Sequence, residues 1–140
     1  MKVTISIDNN KTIMVLPYVT EDMLKIGYGS SSNENLDSAK YGTIKALGPQ
    51  PLATVSIAGT FPNGRKPFME KEAKTDPMTY IRFFRNNRRD RKPFRVVITR
   101  KDGRELFNRL MACETFDIEP AKKNGDVPYA LEFEQYRMVR

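Results

Sequence analysis

One window of this chain spaces its apolar residues as a helix does, and nearly everything around it alternates as strands do. Between Asp76 and Arg89, Tyr80, Ile81, Phe83 and Phe84 fall on one side at about 100° per residue, with Arg82, Arg85 and Arg89 on another. Thr75 or Asp76 can cap the first turn. Pro77 suits the next position, where its missing N–H has no helical partner to lose. A single amphipathic helix from about Thr75 to Arg89 is predicted. Arg88 and Arg89 also fall in its last turn, where cations offset the negative end of the helix dipole.

Elsewhere the period is two. Val3, Ile5 and Ile7 alternate with polar residues, and Thr12 to Leu16 follows the Asp8-Asn9-Asn10 turn, which predicts a hairpin. Met23 to Tyr28 resumes an extended pattern. The polar segment Gly29 to Asn35 reads as a flexible tip, and strands are expected again over Leu36–Ala46 and Leu52–Phe61. These five make a first meander. Phe61 to Lys74, rich in Pro, Gly and charge, reads as a loop before the helix. After it, Phe94–Arg100, Glu105–Ile118 and Val127–Val139 make a second meander. Asp102-Gly103 and Asn124-Gly125 supply its turns, since these pairs tolerate positive φ. The expected fold is mainly β with one helix (α+β): an antiparallel β-barrel or sandwich of two packed meanders, flanked by the helix. All 140 residues form one domain in this reading.

Composition narrows the chemistry. The chain has no histidine, which removes Ser/His/Asp and Cys/His arrangements and the usual zinc sites. Pairs such as Glu132 and Glu134 share the wet face of a strand and need no catalytic role. Gly27 and Gly29 lack the lysine and helix of a phosphate loop, and Asp8-Asn9-Asn10 lacks the later ligands of a calcium loop. No catalysis, cofactor or metal is expected. The lone Cys113 suits a reducing compartment, and no apolar run is long enough to anchor the chain in a membrane. The start lacks the apolar stretch and cleavage site of a signal peptide, so the chain is expected in the cytoplasm where it is made.

A formal charge of +7 favours anionic partners without choosing among them. Arg82, Arg85, Arg88 and Arg89 beside Tyr80, Phe83 and Phe84 could bind phosphates and stack on bases. The aromatics, however, occupy the side that packs inward, leaving only charge outside. Acidic protein surfaces are therefore preferred over nucleic acid.

The closing stretch Phe116-Asp117-Ile118-Glu119, then Lys123-Asn124-Gly125-Asp126-Val127-Pro128-Tyr129-Ala130-Leu131-Glu132-Phe133-Glu134-Gln135-Tyr136-Arg137, resembles the ending of phage and prophage tail baseplate proteins of the LysM-type hub or tube-initiator family. Gly125, Asp126, Tyr129, Leu131, Tyr136 and Arg137 carry the likeness. The order of the remaining pieces is also similar, from Leu16-Pro17 through Phe61-Pro62 and Asp76-Pro77 to Lys92-Pro93-Phe94. The chain departs from the family in stopping at Arg140, where a LysM domain would follow, so peptidoglycan binding is not carried over. The resemblance implies a virion structural protein of a phage tail or contractile injection system. It would be made in the bacterial host cytoplasm and assembled as a homo-oligomeric ring, six copies expected, between the spike hub and the tail tube. Its partners would be itself and the tube, hub and baseplate wedge proteins. Ser30, Asn33, Asn35 and Lys40 in the first arm, and Arg65 and Lys66 in the second loop, become candidate stacking contacts.

Overall fold

A computed structural model describes residues 1–31 and 33–137. It contains β1 (Lys2–Ile7), β2 (Thr12–Val15), a short 3-10 turn (Glu21–Met23), β3 (Leu24–Gly27), β4 (Glu34–Ser38), β5 (Gly42–Ala46) and β6 (Thr54–Phe61). Then come α1 (Pro77–Arg89), β7 (Phe94–Thr99), β8 (Glu105–Ile118) and β9 (Val127–Gln135). The fold is mainly β with this one helix among the described residues.

Seven strands form one antiparallel sheet in the order β2-β1-β7-β8-β9-β6-β3. Its inner face carries Val3, Ile5, Val96, Ile98, Phe107, Met111, Leu131, Phe133, Val55 and Ile57, all buried. These join Tyr80, Ile81, Phe83 and Phe84 of α1 in one core, to which Met14 of β2 and, partly buried, Leu24 and Ile26 of β3 also belong. Residues from both edges thus meet around one helix, so the sheet curls over α1. The expected antiparallel β fold flanked by a helix is present, and the barrel alternative is corrected on one point, closure. Among the described residues β2 and β3 pair only with their inner neighbours, so the barrel is not closed, and Tyr80, Ile81, Phe83 and Phe84 of the helix pack into the sheet's core.

The first meander is corrected too. β1 and β2 form the expected hairpin at one edge, but β3 lies at the other edge on β6. Leu36–Ala46 is a hairpin, β4–β5, outside the main sheet, with the turn at Ala39 to Tyr41. It also replaces part of the flexible tip expected over Gly29 to Asn35, of which Ser32 lies outside the described residues. The second meander forms as read. Its last strand stops at Gln135 and not Val139; Met138 to Arg140 lie outside the described residues.

The helix ends follow local chemistry. The Asp76 carboxylate accepts from the Met78 amide at 3.0 Å, so Asp76 and not Thr75 is the cap. At the other end the Arg91 amide donates to the Arg88 carbonyl and the Lys92 amide to the Asn87 carbonyl, each at 3.0 Å. This paired closure needs a left-handed residue, and Arg91 supplies it with φ of 57°.

A bulge in β8 decides what faces the helix. Cys113 sits opposite Phe133, but Thr115 sits opposite Glu132 and Phe116 opposite Leu131, so Glu114 is the extra residue. The inward positions therefore change parity, from Phe107, Met111 and Cys113 to Phe116 and Ile118. Without the bulge, Thr115 and Asp117 would point at α1.

Candidate functional site

The family-motif residues separate into a latch, a core pair and an exposed end. Gly125, with φ of 90°, closes the β8–β9 turn and donates its amide to the Lys122 carbonyl at 2.8 Å. Asp126 receives the Asn124 side-chain amide at 3.1 Å and the Asn63 backbone amide at 2.7 Å. The Asn63 side chain in turn donates to the Asn124 carbonyl at 3.2 Å. The Gly-Asp pair thus ties the loop after β6 to the end of the second meander. Tyr129 and Leu131 are core residues, and Tyr129 lies on Phe61 with ring centroids 4.0 Å apart. Tyr136 and Arg137 are exposed just beyond β9.

Arg82, Arg85 and Arg89 lie on the outer face of α1, all exposed, while Tyr80, Phe83 and Phe84 are buried. Among the described residues Arg82 and Arg85 make no ion pair, and Arg89 pairs only with the adjacent Asp90 at 3.4 Å. Arg88 turns back and donates to the Glu114 carbonyl, which the bulge leaves outside the strand ladder, at 3.2 Å. Beside these arginines runs a groove of about 510 Å³ lined by Ile81, Arg85, Arg88, Arg89, Phe116 and Ile118. The floor is apolar and the rim cationic. Sequence reasoning found the rim and missed the floor, although the shift of apolar residues from odd to even positions along β8 was its signal.

The two candidate stacking elements differ. Arg65 is exposed, and its guanidinium donates to the Glu70 and Ala73 carbonyls at 2.9 and 3.0 Å and so organises its own loop. The Lys66 amide donates to the Met69 sulfur, closing the same turn. In the first arm, Asn33 accepts from the Gly48 amide at 2.8 Å and closes the neck of the β4–β5 hairpin. Ser30 is exposed at its base, Asn35 faces Lys45 on its polar side, and the Lys40 ammonium lies 5.3 Å from the Tyr41 ring centre at its tip.

Two tyrosines tie the site to its core. The Tyr80 hydroxyl donates to the Val15 carbonyl and accepts from the Lys74 amide, bridging α1, β2 and the loop. Burial pushes Tyr80 up to about 12 and pushes Tyr129 up as well. A phenol whose folded pKa lies above its unfolded value near 10 contributes fully below that value and loses its contribution as pH rises. Stability is therefore expected to hold to about pH 10 and then fall, Tyr80 alone removing at most about 1 kcal/mol per pH unit between about 10 and 12. Urea midpoints on either side of pH 10 check this, and Tyr80→Phe should flatten the fall; equal midpoints at about pH 9 and 11 would refute it. At Cys113, burial also raises the thiol, to about 11, which disfavours the thiolate, and the half-buried sulfur donates to the Thr115 carbonyl at 3.6 Å.

No protein-family model matches the chain, and no curated protein matches it. No helix among the described residues is long and apolar enough to cross a membrane.

Proposed function

We propose that this chain is a structural subunit of a phage-type tail baseplate, of the contractile kind, forming a tube-initiator or hub-adaptor ring between the spike hub and the first ring of tube. The observation that carries the reading is a set of surfaces with nothing to satisfy them in one copy. Among the described residues two sheet edges are open at β2 and β3, the β4–β5 hairpin stands apart from the sheet, and Arg82 and Arg85 of α1 make no ion pair. Open edges invite pairing with a neighbour, and a ring is the closed way of providing one. The C-terminal resemblance to baseplate proteins supplies the context.

Co-expression with tube, hub and wedge proteins of the same tail should yield rings in electron micrographs and a multimeric mass for the purified chain. A chain that stays monomeric with every one of them would overturn the proposal. The alternative, a nucleic-acid-binding module using Arg82, Arg85 and Arg89, has charge in its favour but no aromatic on the same face, since Tyr80, Phe83 and Phe84 are buried. That reading requires DNA affinity that falls steeply with salt and is lost when the three arginines become alanine.

A further inference from the structure

We propose that the groove between α1 and the far end of β8 receives the β4–β5 hairpin of a second copy, so that each subunit holds the next head to tail. The inference rests on the ring reading only in needing a neighbouring copy.

The hairpin is amphipathic by register. Leu36 stands opposite Ile44, and Glu34 opposite Ala46, all on one face; Asn35 opposite Lys45 and Asp37 opposite Thr43 make the other. Leu36 is 50% and Ile44 45% exposed although both sit in paired strands. The two strands make no substantial contact with any other element of the same copy. A two-stranded ribbon is marginal in water until something covers its apolar face. This one is already closed at the neck by Asn33, so its apolar face is formed and bare.

The groove offers the complementary chemistry. Ile81, Phe116 and Ile118 make an apolar floor for Leu36 and Ile44, and Arg85 and Arg89 stand beside it without strong partners among the described residues. Asp117, next to Ile118, lies on the opposite face of β8. Charge selects the occupant. In a chain of net charge +7, several exposed apolar side chains have a cation within two residues: Ile13 has Lys11, Phe68 has Lys66 and Leu106 has Arg104. Leu36 has Glu34 and Asp37 and no cation, and Glu34 shares its face. Lys45 points away from that face and Lys40 sits at the tip. An apolar face that carries the Glu34 carboxylate meets an apolar floor rimmed by guanidinium groups, a pairing that joins different surfaces and so builds rings or filaments, not isolated pairs.

The test uses full chains with Cys113→Ser as background, one carrying Ile44→Cys and the other Ile118→Cys. Each is mixed with the other or kept alone at high concentration, and also taken through co-assembly with tail partners, before mild oxidation. A disulfide between the two variants at about tenfold the yield of either alone is expected, and Leu36→Asp should lower it about tenfold or more by removing a buried leucine contact. Circular dichroism of each variant checks that it folds. Rings that form without the mixed disulfide, or that Leu36→Asp leaves intact, overturn the docking mode and leave the ring reading standing. No mixed disulfide and no association between copies under any condition overturns the docking mode, and the ring reading falls only if co-assembly with tail partners fails as well.

Discussion

Phe61→Ala is expected to remove most of the stability of this chain. Phe61 is fully buried at the end of β6, with Tyr80 of α1 stacked on it at 4.8 Å and Tyr129 of β9 at 4.0 Å, both rings nearly parallel to its own. Truncating a buried phenylalanine costs about 3–5 kcal/mol, against a total stability of about 5–15 kcal/mol for a typical domain. Here the lost ring also leaves two tyrosines without the partner that sets their orientation. A large drop in the urea midpoint with unchanged slope is the expected signature, and Phe61→Leu should cost distinctly less. A loss below about 1 kcal/mol would mean that the helix and β9 are held together by something other than this stack.

The second large effect is expected at Gly125→Ala. A methyl group built at Gly125 would collide with the Asn63 side-chain amide, and its φ of 90° is a region that L residues rarely adopt. Backbone strain of this kind costs about 1–3 kcal/mol, and displacing Asn63 adds about 1 kcal/mol for its bond to the Asn124 carbonyl. The consequence is local as well as global. The Phe61–Thr75 loop, pinned through Asn63, should become more open to proteolysis and hydrogen exchange than the core strands. Combining Gly125→Ala with Asn63→Gly should recover the steric part and leave the strain. If the single variant is as stable as the parent and its loop equally protected, the latch contributes nothing.

What could be read in advance follows from how local each signal is. Asp76-Pro77 marks the start of α1 because capping is a matter of adjacent residues, and Asp102-Gly103 and Asn124-Gly125 mark their turns because φ is a property of one residue. The hairpin β4–β5 was not legible in the same way. Its turn, Ala39-Lys40-Tyr41, has none of the strong turn pairs, so Leu36–Ala46 looks like one continuous strand. Strand order beyond sequential neighbours was not legible, since β1 beside β7 and β6 beside β9 are pairings between distant segments. The arginine stripe follows from helical period alone. The groove beside it depends on a single extra residue in β8 at Glu114, and only pairing with β9 makes that residue extra.

The strand order also fixes when the sheet can be completed during synthesis. β9 is the last strand to leave the ribosome, yet it lies between β8 and β6 and pairs with both. Until it arrives, the β2-β1-β7-β8 segment and the β6-β3 segment share no ladder, and the stack through Phe61 lacks Tyr129. Domains dominated by such distant pairings fold slowly and late. A nascent or truncated chain that lacks β9 therefore cannot complete the seven-stranded sheet.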